Sequence, residues 1–253
     1  MGLAHDEGWA IPFDAPPYPM LPAWYRGVQF QTVLFRADPA EVAKLLPEPL
    51  EPSPDGWCAA TGIRIPFSSA YGPFLEAFVE QKVTFRGQTG WYGSHVWHDG
   101  PRGIAAGREI YGTPKIFSEL DVRIVEASML TRASMSGVAV ITISSSMEVP
   151  IAASDLPSHA PSWRLKIIPR ADRPGPAIKQ LIEGSVATLD FELITAFRGR
   201  GTVKFEPSPF SDLTGLRPLE YGDAYYYEAN YGEGFAQIAY DYLDPDPIEA
   251  GPP

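Results

Sequence analysis

Lys115 ends the turn of Gly107-Arg108-Glu109-Ile110-Tyr111-Gly112-Thr113-Pro114-Lys115-Ile116-Phe117. A protonated lysine is no nucleophile, and a free lysine holds its proton to a pKa of about 10.4. Removal from water disfavours the charged form and can lower that value by several units. The neutral amine can then attack a ketone and form an imine. A Gly/Pro turn fixes where the side chain points, and the apolar pair Ile116 and Phe117 follows it directly. The plain alternative is a surface lysine beside a turn, and spacing alone does not separate the two readings. The other five lysines have simpler explanations. Lys44 falls on the polar face of a short helix, and Lys82 sits near Glu80 and Arg86. Lys166 and Lys204 alternate outward on strands, and Lys179 falls in a helix.

Glu76 is the acid most suited to moving protons. It lies in Gly72-Pro73-Phe74-Leu75-Glu76-Ala77-Phe78, and bulky apolar neighbours tend to raise a carboxyl pKa. Tyr111 is a second proton mover. Arg108 and Glu109 adjoin the turn, where paired charges are more often structural than catalytic. A carboxylate beside Lys115 would favour the ammonium and oppose imine formation. Glu109, if close, is therefore expected to be engaged by Arg108. His95, His98 and Asp99 hint at a metal, but strand spacing puts the two imidazoles on opposite faces. His98 reads as a polar strand end, and neither metal nor cofactor is expected. There is no nucleophile elbow, phosphate-binding glycine loop or dinucleotide fingerprint.

The elements that must position these residues are mostly strands. The chain has 253 residues, 23 of them glycine and 27 proline, which demands many turns and argues against a helical bundle. Its formal net charge is -11 with no basic block, so nucleic acid and anionic membranes are not expected partners. The single cysteine, Cys58, excludes an intramolecular disulfide. The acidic start lacks an apolar signal region, and no stretch nears the roughly 20 apolar residues of a membrane span. A soluble cytoplasmic protein is expected. Residues 1–23 form a proline-rich N-terminal arm, on the surface or against another subunit, and 24–253 form a single domain. Residues 28–35 read as a strand. Asp38-Pro39-Ala40-Glu41 starts a helix that carries Val42, Leu45 and Leu46 and stops at Pro47. Period-two alternation marks strands at 163–167, 189–193 and 203–205, and 138–143 reads as a strand buried on both faces. Residues 176–182 read as a short helix, and the aromatic tail 225–243 has no clear type. The sum is an α+β chain, mostly antiparallel β, with a curved sheet and a few short helices.

These residues resemble the acetoacetate decarboxylase superfamily. The likeness runs through Phe35-Arg36-Ala37-Asp38, Leu46-Pro47-Glu48-Pro49-Leu50, Gly107-Arg108-Glu109 with Pro114-Lys115, Leu165-Lys166-Ile167-Ile168-Pro169 and Tyr240-Asp241-Tyr242-Leu243. The resemblance implies a sheet closed into a cone or barrel around an apolar interior. It also implies Lys115 as the Schiff-base nucleophile, Glu76 as the active-site glutamate, Arg108 and Glu109 as the supporting pair, no cofactor, and a homo-oligomer. Acetoacetate decarboxylase is itself the usual example of a lysine activated by desolvation or a cationic neighbour. Two departures stand out. The decarboxylases carry a second lysine directly after the nucleophile, where this chain has Ile116. They also carry an arginine for the substrate carboxylate in the first strand, where this chain has Val28 beside Gln29. These departures favour aldol condensation and dehydration of pyruvate, a small oxo acid, with an aldehyde. Decarboxylation of a β-keto acid is the alternative. A non-catalytic small-ligand binder on the same scaffold is a third reading.

Overall fold

The computed structural model describes residues 3–5 and 7–244. The chain is built almost wholly from strands. They are β1 (Ala23–Arg36), β2 (Glu51–Pro52), β3 (Trp57–Ile65), β4 (Phe67–Ser68), β5 (Phe74–Phe85) and β6 (Gln88–His98). Next come β7 (Lys115–Phe117), β8 (Glu119–Val125), β9 (Ser128–Met135), β10 (Val138–Ser146) and β11 (Val149–Pro150). The last are β12 (Ser162–Pro169), β13 (Pro176–Glu183), β14 (Thr188–Gly199), β15 (Gly201–Phe205), β16 (Glu220–Glu233) and β17 (Gln237–Asp241). Helix is confined to single turns, chiefly α1 (Pro39–Ala43) and α2 (Pro101–Ala106), with a π-helical turn over Gly107–Tyr111. The α1 start follows the sequence signal: Asp38 Oδ1 accepts the Ala40 N–H at 2.8 Å, Pro39 opens the helix, and Val42 is buried.

The strands form two sheets. In the larger, the spatial order is β11-β14-β16-β1-β3-β5-β6-β12-β13-β17, with β2, β4 and β7 attached to β5, β1 and β6. The smaller runs β15-β10-β9-β8. Pairing is antiparallel except where β6 meets β7 and β12. The expected closure into a cone or barrel does not occur: the large sheet is an open path that ends at β11 and β17. A second layer does the covering instead. Val33 and Phe35 of β1 share one core with Val140, Ile141 and Ile143 of β10 and Val203 and Phe205 of β15. Val28 and Phe30 turn to the opposite face and pack with Ile63, Ile65 and Phe74. Alternation along β1 thus supplies both faces, as the period of two requires.

Residues 176–182 form strand, not the expected helix. Pro176 opens β13, and the run then pairs with β12 on one side and β17 on the other. A proline at the first position suits either element, and the two neighbouring strands decide between them. The untyped aromatic tail becomes β16 and β17. Among the described residues, no helix is long and apolar enough to cross a membrane.

Candidate active site

The lysine is placed by three short elements. β5 and β6 pair antiparallel, which sets Glu76 opposite His98. The chain then runs through α2 and the π-helical turn and returns as β7, parallel to β6, with Lys115 opposite Val96. Two glycines make the turn possible. Gly112 has a φ of +68°, and a Cβ there would lie 2.4 Å from the Lys166 Cα, so only glycine fits. Gly107 is ordinary helical backbone, with φ -60°. A Cβ there would lie 2.8 Å from Cδ and Cε of Lys115. The missing methyl is therefore the slot in which the lysine stem lies. The Arg108 guanidinium donates to the Lys115 carbonyl at 3.2 Å, and Lys166 Nζ donates to the Ile110 carbonyl at 3.2 Å.

Lys115 Nζ lies 2.9 Å from Glu76 Oε2 and 5.7 Å above the Phe74 ring. His98 stacks on the same ring, with centroids 4.3 Å apart and planes at 22°. The Gly100 N–H donates to His98 Nδ1 at 2.8 Å, which leaves the imidazole proton on Nε2. That Nε2 faces Glu76 Oε2 at 3.7 Å. Burial and the neighbouring Lys115 charge push His98 down to about 4, so it is neutral near pH 7. Burial alone would raise Glu76, as its apolar neighbours suggest. The charges of Lys115 and Arg164 outweigh it, so the carboxyl sits below its usual range. Glu76 is therefore a carboxylate, contrary to the raised value expected from its sequence neighbours.

The pair opens into a cavity of about 570 Å³. Phe30, Ile63, Phe78, Tyr225, Tyr227 and Tyr231 wall it, and Arg164, Glu80 and His159 also reach it. Phe30 and Tyr227 stack at 4.4 Å, and Tyr25 and Tyr231 at 4.8 Å. Of the tail tyrosines, Tyr225, Tyr227 and Tyr231, all at odd-numbered positions of β16, thus face the cavity or its wall, while Tyr240 packs near Phe85.

The structure separates the remaining expected site residues. Tyr111 reaches the wall, but its hydroxyl donates to the Gly234 carbonyl at 2.7 Å, and burial drives its pKa far upward. It ties the turn to the β16–β17 connection and is a poor proton mover. Glu109 is not engaged by Arg108: the Tyr18 hydroxyl donates to it, and Tyr18 itself is buried. The N-terminal arm therefore folds back onto the turn, with Trp9 edge-on to Tyr18 and Phe235. Ile116 is 37% exposed and does not line the cavity, because adjacent residues of β7 point to opposite faces. It cannot be the group that dries the amine; the Phe74 ring and the cavity wall do that. Val28 is fully buried in the wall packing, and Gln29 points to the other face of β1, so neither reaches the cavity.

Three contributors escape the sequence reading. His98 is fully buried beside Glu76, not a strand-end polar residue. Its signal was the strand pairing, which a single sequence does not display. Arg164 alternates with Trp163 and Leu165 on β12, and the apolar pair packs away with Phe85 and Leu181. That leaves Arg164 and Lys166 facing the site and not the solvent. His159 Nδ1 lies 2.9 Å from Glu80 Oε2 and its ring stacks on Trp91, a second histidine–carboxyl contact on the same cavity. Glu76 and Glu80, four residues apart on one strand, could have suggested a shared face.

Residues 7–243 match the family model for acetoacetate decarboxylase (ADC). The chain is 29% identical over 240 residues to acetoacetate decarboxylase 2 of Mesorhizobium japonicum, which covers 93% of this chain and 90% of that one. Its fold matches an acetoacetate decarboxylase from Legionella pneumophila with a TM-score of 0.84 at 20% identity, over 96% of this chain and 100% of that one. It also matches the enduracididine biosynthesis enzyme MppR, complexed with the condensation product of pyruvate and imidazole 4-carboxaldehyde. There the TM-score is 0.80 at 20% identity, again over 96% and 100% of the two chains. A family model that spans nearly the whole chain settles the assignment: the protein belongs to the acetoacetate decarboxylase family.

Proposed function

We propose that this enzyme is a lyase that forms an imine between Lys115 and a small oxo acid. The observation that carries the reading is the 2.9 Å contact between Lys115 Nζ and Glu76 Oε2 inside a cavity walled by aromatic rings. Glu76, a carboxylate, holds the resting ammonium in place and is the nearest acceptor for the proton that the amine must shed before it attacks the ketone carbon. Glu76 returns that proton to the hydroxyl of the resulting carbinolamine, which leaves as water and gives a protonated imine that withdraws electrons from the neighbouring carbon. Glu76 can then accept a proton from that carbon and yield an enamine. His98, neutral and with its proton on Nε2, faces the carboxylate at 3.7 Å, beyond hydrogen-bond reach.

The favoured outcome is aldol condensation of pyruvate with an aldehyde, followed by dehydration. The cavity of about 570 Å³ supports this reading, because it lies within the ~300–1,000 Å³ that accommodates drug-sized ligands. A pyruvate imine alone would leave most of that space unfilled. Decarboxylation of a β-keto acid is the second reading, favoured by the names of the curated relatives. Substrate screening separates them. The first reading expects new absorbance from pyruvate plus an unsaturated aldehyde, and the second expects carbon dioxide from β-keto acids. Carbon dioxide release with no condensation product would overturn the first. The reading further takes residues 24–253 as one catalytic domain behind the 1–23 arm, working as a cytoplasmic homo-oligomer. Exposed Leu189, Phe191 and Ile194 of β14 support a covering second copy.

A further inference from the structure

We propose that Arg164 receives the carboxylate of the substrate, a monoanionic oxo acid, from strand β12 on the wall of the Lys115 cavity. The assignment rests on the imine reading above. Three basic side chains line the cavity: Lys115, His159 and Arg164. Lys115 is paired with Glu76 and His159 with Glu80. Among the described residues, Arg164 alone of the three has neither an ion-pair nor a hydrogen-bond partner. The acids around it are committed elsewhere: Glu233 accepts from the Tyr25 hydroxyl at 2.9 Å, and Glu183 accepts from Ser185. A half-buried guanidinium on the cavity wall with no partner leaves its donors open to an anionic ligand. Its planar fork of donors matches a carboxylate in two parallel hydrogen bonds.

The backbone makes room for it. Gly184 has φ -93°, open to any residue, yet a Cβ there would lie 1.7 Å from Nη1 of Arg164. That glycine is a cradle for the guanidinium, as Gly107 is for the lysine stem. The Arg164 charge is felt at Glu76, Tyr111 and Tyr231, which brings it within range of the reacting pair. One uncommitted positive charge, set against Glu76, Glu80 and Glu233 on the same cavity, suits a ligand with a single negative charge.

The test is borohydride trapping on the full-length protein, titrated with pyruvate and, separately, with acetone, which has a ketone but no carboxylate. In Arg164→Gln the half-saturating pyruvate concentration should rise about 10- to 100-fold, the range for losing a charged hydrogen bond. Trapping of acetone should not change. Gly184→Ala keeps the charge but displaces it, and should raise the pyruvate value in the same direction. Arg164→Lys should restore part of the loss. Unchanged pyruvate saturation in Arg164→Gln, or equal loss of both ketones, would overturn the assignment. No adduct with either ketone in the wild type would instead overturn the imine reading, and this assignment with it.

Discussion

Gly107→Ala isolates the position of the lysine from its chemistry. The backbone at Gly107 is helical, so alanine is welcome there and should gain up to ~1 kcal/mol in intrinsic preference. Every penalty therefore comes from the methyl, which would lie 2.8 Å from Cδ and Cε and 3.4 Å from Nζ of Lys115. Ordinary carbon contacts settle at ~3.5–4.0 Å, so the lysine stem must retreat by about 1 Å. Overpacking of that size costs roughly 1–3 kcal/mol, nearly balanced by the helix preference, and the melting temperature should move by only a few degrees. Catalysis should suffer far more, because a misplacement of about 1 Å costs on the order of 100-fold. The assay pairs a thermal melt with the rate of borohydride-trapped adduct formation. A folded variant that forms adduct within a few-fold of the wild-type rate would refute the slot between Gly107 and Lys115.

Further outcomes follow from the same geometry. Glu76→Gln keeps the shape but cannot accept a proton, and kcat should fall by about 10²–10⁴-fold with the fold retained; a smaller loss would remove Glu76 as the proton carrier. Ile116→Lys places a cation directly after Lys115, but on the exposed face of β7, so kcat/KM should change by less than about threefold. A large gain in decarboxylation would show that residue 116 reaches the cavity after all. His98 is held near 4 against an unfolded value of about 6.5, so its contribution to stability is whole above pH 6.5 and is lost as pH falls toward 4. Urea unfolding across that window should show roughly 3 kcal/mol of loss in the wild type that His98→Gln escapes. Parallel curves for the two proteins would contradict a buried neutral imidazole.

What the sequence reveals and conceals here follows from the range of each signal. Alternation along β1, β12, β14 and β15 and the Asp38 cap are local, and both are borne out. The glycine–proline turn that presents Lys115 is local too. Closure of the sheet is not local, and the chain settles it by covering β1 with β10 and β15, not by joining β11 to β17. The same non-local pairing sets His98 against Glu76 and turns residues 176–182 into strand. Arg164 and Lys166 look solvent-facing only if one face of β12 is free, and the Gly107–Tyr111 turn covers that face. Val28 stands at a substrate position only if β1 runs regularly, but its pairing with β16 shifts register between Tyr25 and Val28. Ile116 shows the limit of reading neighbours in sequence as neighbours in space: one step along a strand takes a side chain to the other face.

The most direct measurement reduces the protein with borohydride in the presence of pyruvate or acetoacetate and maps the modified peptide by mass. Hydride addition to the imine carbon fixes a secondary amine on whichever lysine formed it. The expected result is one reduced adduct, on Lys115, absent in Lys115→Ala and dependent on the oxo acid. An adduct on another of the six lysines, or none with any oxo acid, would contradict Lys115 as the nucleophile.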